Sequence, residues 1–412
     1  MAKDSIYTSI DVGTTKICTI VTKVNEEREA LIKGVGVAPA NGLRKGVVVN
    51  IDEVTEAIQA SIDEAEHRSG AKIASAYVGI TGGHINSINN RSMVNITNSE
   101  HLITPEDVTK ALESARAYNI PSNREVLHIL PRGYAVDGQE GVSNPVGLHG
   151  YRLDAETHIV TGATTSIQNL AKCFLGVGVE IDDLILEPLA SSEAVLTDEE
   201  KEMGVALADI GGGTTDIALF IEGSVWHTTV LPVGGYHLTN DIAIGMRTPF
   251  LTAEEIKIRN GSALPDEIDT EESIEVTGFG DYGVRSVLRR HVCEIIKART
   301  QEILELILLE IKRSGYDAML PAGLVLTGGT ANLAGIETLA QEVLRLPVRV
   351  GRPRGISGLS GYICDPAYAT SVGLLLWGLK HGKAKEGNRK RGQRIGRIGK
   401  RLFLGMRELF PQ

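Results

Sequence analysis

Two short segments carry the residue types of a phosphate clamp: Asp11-Val12-Gly13-Thr14-Thr15-Lys16 and Asp209-Ile210-Gly211-Gly212-Gly213-Thr214-Thr215-Asp216. Glycines let a backbone approach a phosphate closely, and successive N–H groups with Thr hydroxyls supply donors. Facing one another, two such turns would grip the β- and γ-phosphates of ATP. Asp11 and Asp209 would hold Mg2+ beside them, through its waters because that ion dehydrates reluctantly. Lys16 would neutralise phosphate charge. The first turn taken alone can equally close a hairpin with no ligand. Three successive glycines in the second are harder to explain that way, since each weakens a core hairpin.

The elements that must position these turns surround them. Residues 6–10 alternate into the first turn and 17–21 leave it, which predicts a β-hairpin, and 205–210 with 217–220 repeat the pattern. Two copies about 200 residues apart predict a duplicated lobe. Further strands are expected at 34–37, 47–50 and 74–80. Asp52 is expected to cap a helix whose Val54, Ala57, Ile58 and Ile62 share a face. From His84 the pattern predicts a β-α-β insertion of about 75 residues. It comprises a strand pair over 85–96 turning at 89–92, a helix from Thr104-Pro105-Glu106-Asp107 to near Asn119, strands 125–130 and 132–136, and strand 158–160. Helices are expected at 238–246, 252–260, 286–313 and 333–344, with a last one opening at Pro366 and ending near Leu379. Leu326-Thr327-Gly328-Gly329-Thr330 adds a third glycine turn, between strand and helix.

Composition narrows the classes. A net charge of −10 and 4% aromatic residues disfavour nucleic acid as a partner. Cys18, Cys173, Cys293 and Cys364 form no CxxC pair, which fits a reduced cytoplasmic protein. Nothing before the first strand resembles a signal peptide, and no apolar run reaches the roughly 18 residues of a membrane span. The charge is divided unevenly: residues 388–412 carry eight Lys/Arg against Glu408, a surplus of +7 that leaves −17 on the remainder. After a Gly/Lys-rich linker at 381–390, Ile395, Ile398, Leu402, Met406 and Leu409 recur at helical spacing, widened by Phe403 and Phe410. Residues 391–412 therefore have the composition of an amphipathic helix lying in an anionic membrane surface. A basic helix for a protein or nucleic-acid partner has similar composition, though the two phenylalanines favour lipid.

In their order and spacing, the three glycine turns resemble the nucleotide site of the actin, hexokinase and chaperone ATPase superfamily. That resemblance implies an α/β, actin-like two-lobed duplicated fold with Gly328 and Gly329 against the nucleoside. Glu187-Pro188-Leu189-Ala190-Ser191-Ser192-Glu193-Ala194 resembles its inter-lobe hinge helix, in which the acid before the proline positions the attacking water. Glu187 is then the candidate catalytic residue, or equally a helix cap ahead of Pro188. Glu294 and Lys297 fall near where relatives contact adenine and ribose, or on a solvated helix face.

Further segments narrow the resemblance: Gly82-Gly83-His84-Ile85, Asn144-Pro145-Val146-Gly147, Pro232-Val233-Gly234-Gly235, Asn240-Asp241-Ile242-Ala243 and the amphipathic C-terminus. Together they resemble the FtsA family, the bacterial actin homologues of cell division. The resemblance implies first-lobe core at 1–83 and 162–195, an inserted subdomain at 84–161, second-lobe core at 196–238 and 305–380, and a tip at 239–304. It implies filaments on the cytoplasmic membrane at the division site, tethering of the tubulin-like GTPase FtsZ through its C-terminal peptide, and contacts with later division proteins. Arg285, Arg289 and Arg290 are the candidate peptide contacts, or a solvated face. A pilus-assembly inner-membrane adaptor of the same fold is the alternative, and would normally lack the amphipathic tail. A small-molecule kinase would need a dedicated base, and a chaperone ATPase a substrate-binding domain after 380.

Overall fold

The computed structural model describes residues 5–24, 30–115, 120–279, 283–358 and 361–381. The expected linker beyond His381 and the amphipathic helix with Ile395, Ile398, Leu402, Phe403, Met406, Leu409 and Phe410 lie outside the described residues.

The chain builds the same sheet twice. In the first lobe β1 (Ser5–Val12) and β2 (Lys16–Val24) form the expected hairpin, and β3 (Ala30–Pro39) extends it antiparallel. After the short hairpin β4 (Leu43–Arg44) and β5 (Val47–Val48), helix α1 (Ile51–Ser69) crosses over to β6 (Ser75–Ile80), parallel to β1. The cap of α1 is Asn50, whose Oδ1 accepts from the N–H groups of Asp52 and Glu53; Asp52, the expected cap, lies two residues further on in the first turn, favourable to the helix dipole.

The insertion begins after β6. Strand β7 (Asn86–Asn95), helix α2 (Pro105–Ala115) and strand β8 (Arg124–Val136) give β-α-β, and β9 (Gln139–Val142) and β10 (Arg152–Ala163) complete a four-stranded sheet ordered β7-β10-β8-β9. The expected turn at 89–92 does not form: β7 runs straight through it. Its polar residues are satisfied sideways, Arg91 by Asp154 of β10 at 3.0 Å and Ser92 Oγ by the Ala111 carbonyl of α2 at 2.8 Å. Likewise β8 is one strand, with a register shift at Glu156/Thr157 that accommodates Pro131, which has no N–H to donate. Thr104 and Asp107 open α2 by exchanging bonds between side chain and backbone, as the motif predicts.

Helix α3 (Thr164–Val177) returns to β11 (Glu180–Leu186) at the edge of the first sheet, whose order is β11-β6-β1-β2-β3. Buried helix α4 (Glu187–Val195) and α5 (Asp198–Met203) lead to the second copy: β12 (Val205–Ile210), β13 (Thr215–Ile221), β14 (Ser224–Leu231). Then come α6 (Gly235–Gly245), α7 (Phe250–Asn260), β15 (Ser273–Thr277), β16 (Val284–Leu288), the long α8 (Arg289–Ser314), β17 (Leu324–Thr327), α9 (Ile336–Leu344), β18 (Val348–Val350) and α10 (Ala369–His381). The order β14-β13-β12-β17-β18, with two antiparallel and two parallel pairings, repeats that of the first lobe. The predicted duplication is thus present strand for strand.

One apolar cluster joins the lobes: Cys18 and Ile20 of β2, Val195 of α4, Leu207 and Ala218 of the second sheet, and Val372 and Leu375 of α10. Within it α10 crosses α4 at backbone distance, because a Cβ on Gly373 would overlap the Ala190 carbonyl oxygen. Exposed in a helix, Gly373→Ala would stabilise by about 1 kcal/mol. Here overpacking reverses the sign, and the substitution is expected to destabilise by about 1–3 kcal/mol in urea unfolding.

Candidate functional site

The two predicted turns face each other. A Cβ on Gly213 would stand 2.7 Å from Thr14 Oγ1, and one on Gly212 would overlap the Thr15 methyl, so only glycines allow this approach. Each turn is closed by its own backbone, Gly13 N–H to the Lys16 carbonyl and Gly211 N–H to the Thr214 carbonyl. The third turn lies against the second. Gly328 has φ +85, and a Cβ there would overlap Asp209 Oδ1, while Thr330 Oγ1 donates to the Gly211 carbonyl at 3.2 Å. Thr214 is buried at this junction, and the Thr215 hydroxyl is turned to the Val233 carbonyl at 2.8 Å, away from the opposing loop.

Between the turns stand four buried carboxyls: Asp11, Glu187, Asp209 and Asp216. Asp11 and Asp209 end β1 and β12, and each accepts a hydroxyl from the start of α10: Ser371 Oγ to Asp11 Oδ2 at 2.7 Å, Thr370 Oγ1 to Asp209 Oδ2 at 3.0 Å. Asp216 accepts from Thr81 at the end of β6, a bond that crosses between lobes. Glu187 lies against Gly79, and its Oε1 is buried without a partner among the described residues. The N-cap of α4 is Leu186, so Glu187 is not the cap. Lys16 reaches the Ala367 carbonyl and sits 3.7 Å from the Tyr368 ring centroid.

Burial raises all four acids. It pushes Asp216 up to about 7 and Asp209 up to about 6, with the other acids adding to the effect and hydroxyl donors opposing it. Glu187 is raised well above its ordinary range by burial and by Asp216, Asp11 and Asp209. Asp11 is raised by burial against the pull of Lys16. Among the described residues no three acids or histidines are grouped to hold a metal ion directly, so the unpartnered Glu187 oxygen and the glycine cradle fit a cation held through its waters beside a phosphate chain.

Glu294 and Lys297 are engaged within the tip. Glu294 pairs with Arg290 and His291, and Lys297 stands 3.6 Å from Asp266. Beside the second turn stands a charged pair of α7: Lys257 Nζ bonds the Gly235 carbonyl at 3.3 Å and Glu254 at 2.7 Å. Asp216 was visible as the last residue of the second motif; Thr81, Thr370, Ser371, Glu254 and Lys257 had no sequence signal beyond their type. Arg285, Arg289 and Arg290 are each engaged within the tip. Arg285 bonds the Met246 carbonyl, Arg289 the Asn260 carbonyl and Glu272, and Arg290 Asp266.

Two lobes of identical strand order, joined at α4 and α10 and carrying an acid-lined pair of glycine turns, define an actin-like α/β protein. Solved structures agree in fold. A chain of the PilM-PilN type IV pilus biogenesis complex superposes with TM-score 0.65 at 16% identity, covering 90% of this chain and 98% of that one. MreB5 of Spiroplasma citri, bound to ADP, gives 0.55 at 13% identity, covering 93% and 99%. Residues 206–373 match the family model for cell division protein FtsA, and 82–161 that for the SHS2 domain inserted in FtsA. Cell division protein FtsA of Pseudomonas aeruginosa is 46% identical over 371 residues, 90% of this chain and 88% of that protein. The chain belongs to the FtsA family of actin-like cell-division proteins.

Because Asp209 and Asp216 bind protons more tightly folded than unfolded, their contribution to stability is present below about pH 4 and is lost as pH rises through 6 and 7. Asp216→Asn removes part of that loss. The nucleotide-free variant should match the parent near pH 3, below both pKa values, and exceed it by about 4 kcal/mol at pH 8 in denaturant unfolding.

Proposed function

We propose that this chain binds Mg-ATP between its two glycine turns, polymerises on the cytoplasmic face of the membrane at the division site, and tethers the FtsZ ring there. The observation that carries the nucleotide part is the set of four buried acids beneath facing glycine turns. Asp11 and Asp209 would hold Mg2+. Gly13, Thr14, Thr15, Lys16 and Gly211–Thr215 would line the phosphates, and Gly328 and Gly329 the nucleoside, with Glu254 and Lys257 nearer to it than Glu294 and Lys297. Mg2+, when bound, supplies charge neutralisation for phosphate and acids together. Glu187 would then orient water.

Tethering rests on family membership and on the tail. No helix among the described residues is long and apolar enough to cross a membrane, so attachment falls to the amphipathic stretch at 391–412. In this reading the tip, 239–304, receives the acidic-apolar C-terminal peptide of FtsZ. Val284 and Leu288 are exposed beside Arg285 and Arg290, and the Arg290–Asp266 pair lies at the surface, where a peptide carboxylate can replace Asp266. The inserted subdomain at 84–161 would serve self-association and later division proteins. A pilus adaptor shares the fold at 16% identity, against 46% to the division protein.

Two measurements test the halves separately. Asp209→Ala should abolish Mg-ATP binding in a fluorescent-nucleotide titration, and unchanged affinity would remove the site assignment. Deleting 388–412 should leave nucleotide binding intact and release the protein from anionic liposomes; a truncated chain that still pellets with them contradicts the membrane reading.

A further inference from the structure

The inserted sheet touches more than the lobe it grows from. Its strands β7, β8 and β10 meet β14, the edge strand of the second lobe, and Tyr316 beyond α8. Ser87 Oγ donates to the Thr228 carbonyl at 2.7 Å, and Asn89 Nδ2 donates to the Trp226 carbonyl at 3.2 Å. His158 of β10 bridges the two sides, with Nδ1 2.7 Å from Asn89 Oδ1 and Nε2 2.9 Å from Thr228 Oγ1. Since the Asn89 oxygen can only accept, Nδ1 carries the proton and Nε2 accepts from Thr228. Arg132 of β8 places its guanidinium 4.1 Å from the Trp226 ring centroid and bonds Tyr316 Oη at 3.4 Å.

This junction is of a different kind from the hinge. The lobes are held at α4 and α10 by a fully apolar cluster, whereas the insertion meets β14 through hydrogen bonds and a stacked cation beside the partly buried Val225 and Val230, which pack against the cluster that holds Ile85 and Val160. Water can take over such bonds, so the junction opens at a smaller net cost than an apolar core. It also shares its strands with the nucleotide site. Thr81, which donates to Asp216, lies six residues before Ser87. On β13, Asp216 pairs with Val230 of β14, and Ala218 with Thr228. The bonds Thr81–Asp216 and Ser87–Thr228 are thus two cross-lobe ties running from β6–β7 to β13–β14, and a rotation that parts the lobes there strains both.

We propose that the contact of β7, β8 and β10 with β14 and Tyr316 is a latch on the closed arrangement of the lobes, so that nucleotide occupancy and docking of the inserted domain favour one another. The coupling rests on the reading of the acid-lined cleft as the nucleotide site. Linkage makes it reciprocal: a docked insertion raises affinity for nucleotide, and nucleotide holds the insertion down. A contact of the inserted domain with another protein that pulled it from β14 would therefore weaken nucleotide binding without touching the cleft.

The test uses the full chain with Asn89→Ala and Arg132→Ala. Asn89 is exposed enough for its variant to fold should the Arg132 variant fail. Mg-ATP affinity is expected to fall about fivefold or more in each, at the lower end of typical allosteric coupling. Mg-ATP should slow hydrogen exchange of residues 86–95 in the parent and do so less in the variants. A parent that binds Mg-ATP, with variants of equal affinity and exchange at 86–95 indifferent to nucleotide, overturns the latch and leaves the site reading standing. A parent that binds no Mg-ATP overturns the site reading and the coupling with it.

Discussion

Two helix backbones cross with no side chain between them, and the arrangement of the molecule depends on that crossing. At Gly373 even one methyl group would overlap the Ala190 carbonyl oxygen, so α10 and α4 lie as close as helices can. Residues of α4 are correspondingly small at the contact: Ala190, Ser191, Ser192, all buried. From this one crossing α4 delivers Glu187 into the cleft, while α10 delivers Thr370 to Asp209 and Ser371 to Asp11. The two lobes are joined by the same pair of helices that sets the acids. A change in the angle between the lobes therefore moves the site's polar groups relative to one another.

The acids themselves oppose the fold. Four buried carboxyls face one lysine, and burial of an unpaired carboxylate is costly enough that such groups shift toward their protonated form. Hydroxyls from Thr81, Thr370 and Ser371 offset part of the penalty by donating to the charged form. Apolar residues of similar size would make a more stable cleft. Perturbed acids gathered at such a cost are the common mark of a functional site.

Much of this was legible in sequence because it is local. A turn that must let backbone approach phosphate has to contain glycine, and the recurrence of strand–Asp-x-Gly–Thr-Thr–strand exposed the duplication before any sheet was seen. What was not legible depended on neighbours distant in the chain. The polar run Asn89-Asn90-Arg91-Ser92 has turn composition, yet Asp154, Ala111 and His158 satisfy it as strand. Which helix brings charge to the third turn depends on how α6, α7 and α8 pack. Glu294 and Lys297 have suitable side chains and find partners in Arg290, His291 and Asp266, whereas Lys257, equally ordinary in sequence, reaches the Gly235 carbonyl with Glu254 bonded to it. Thr370 and Ser371 matter only because α10 returns to the first lobe.

The position of Glu187 bears on how hydrolysis would be controlled in the proposed function. A carboxyl must be ionised to accept a proton from water, and burial, with Asp216, Asp11 and Asp209 adding to it, holds Glu187 well above its ordinary range. That shift favours the protonated form, which cannot accept the proton. The same three acids are the ones a bound cation would neutralise, and removing their repulsion lowers the Glu187 pKa toward ionisation. Burial remains, however, and it is the larger of the causes. Occupancy of the site therefore brings Glu187 only part of the way, which suits a protein that uses its nucleotide to set an assembly state more than one built for rapid turnover.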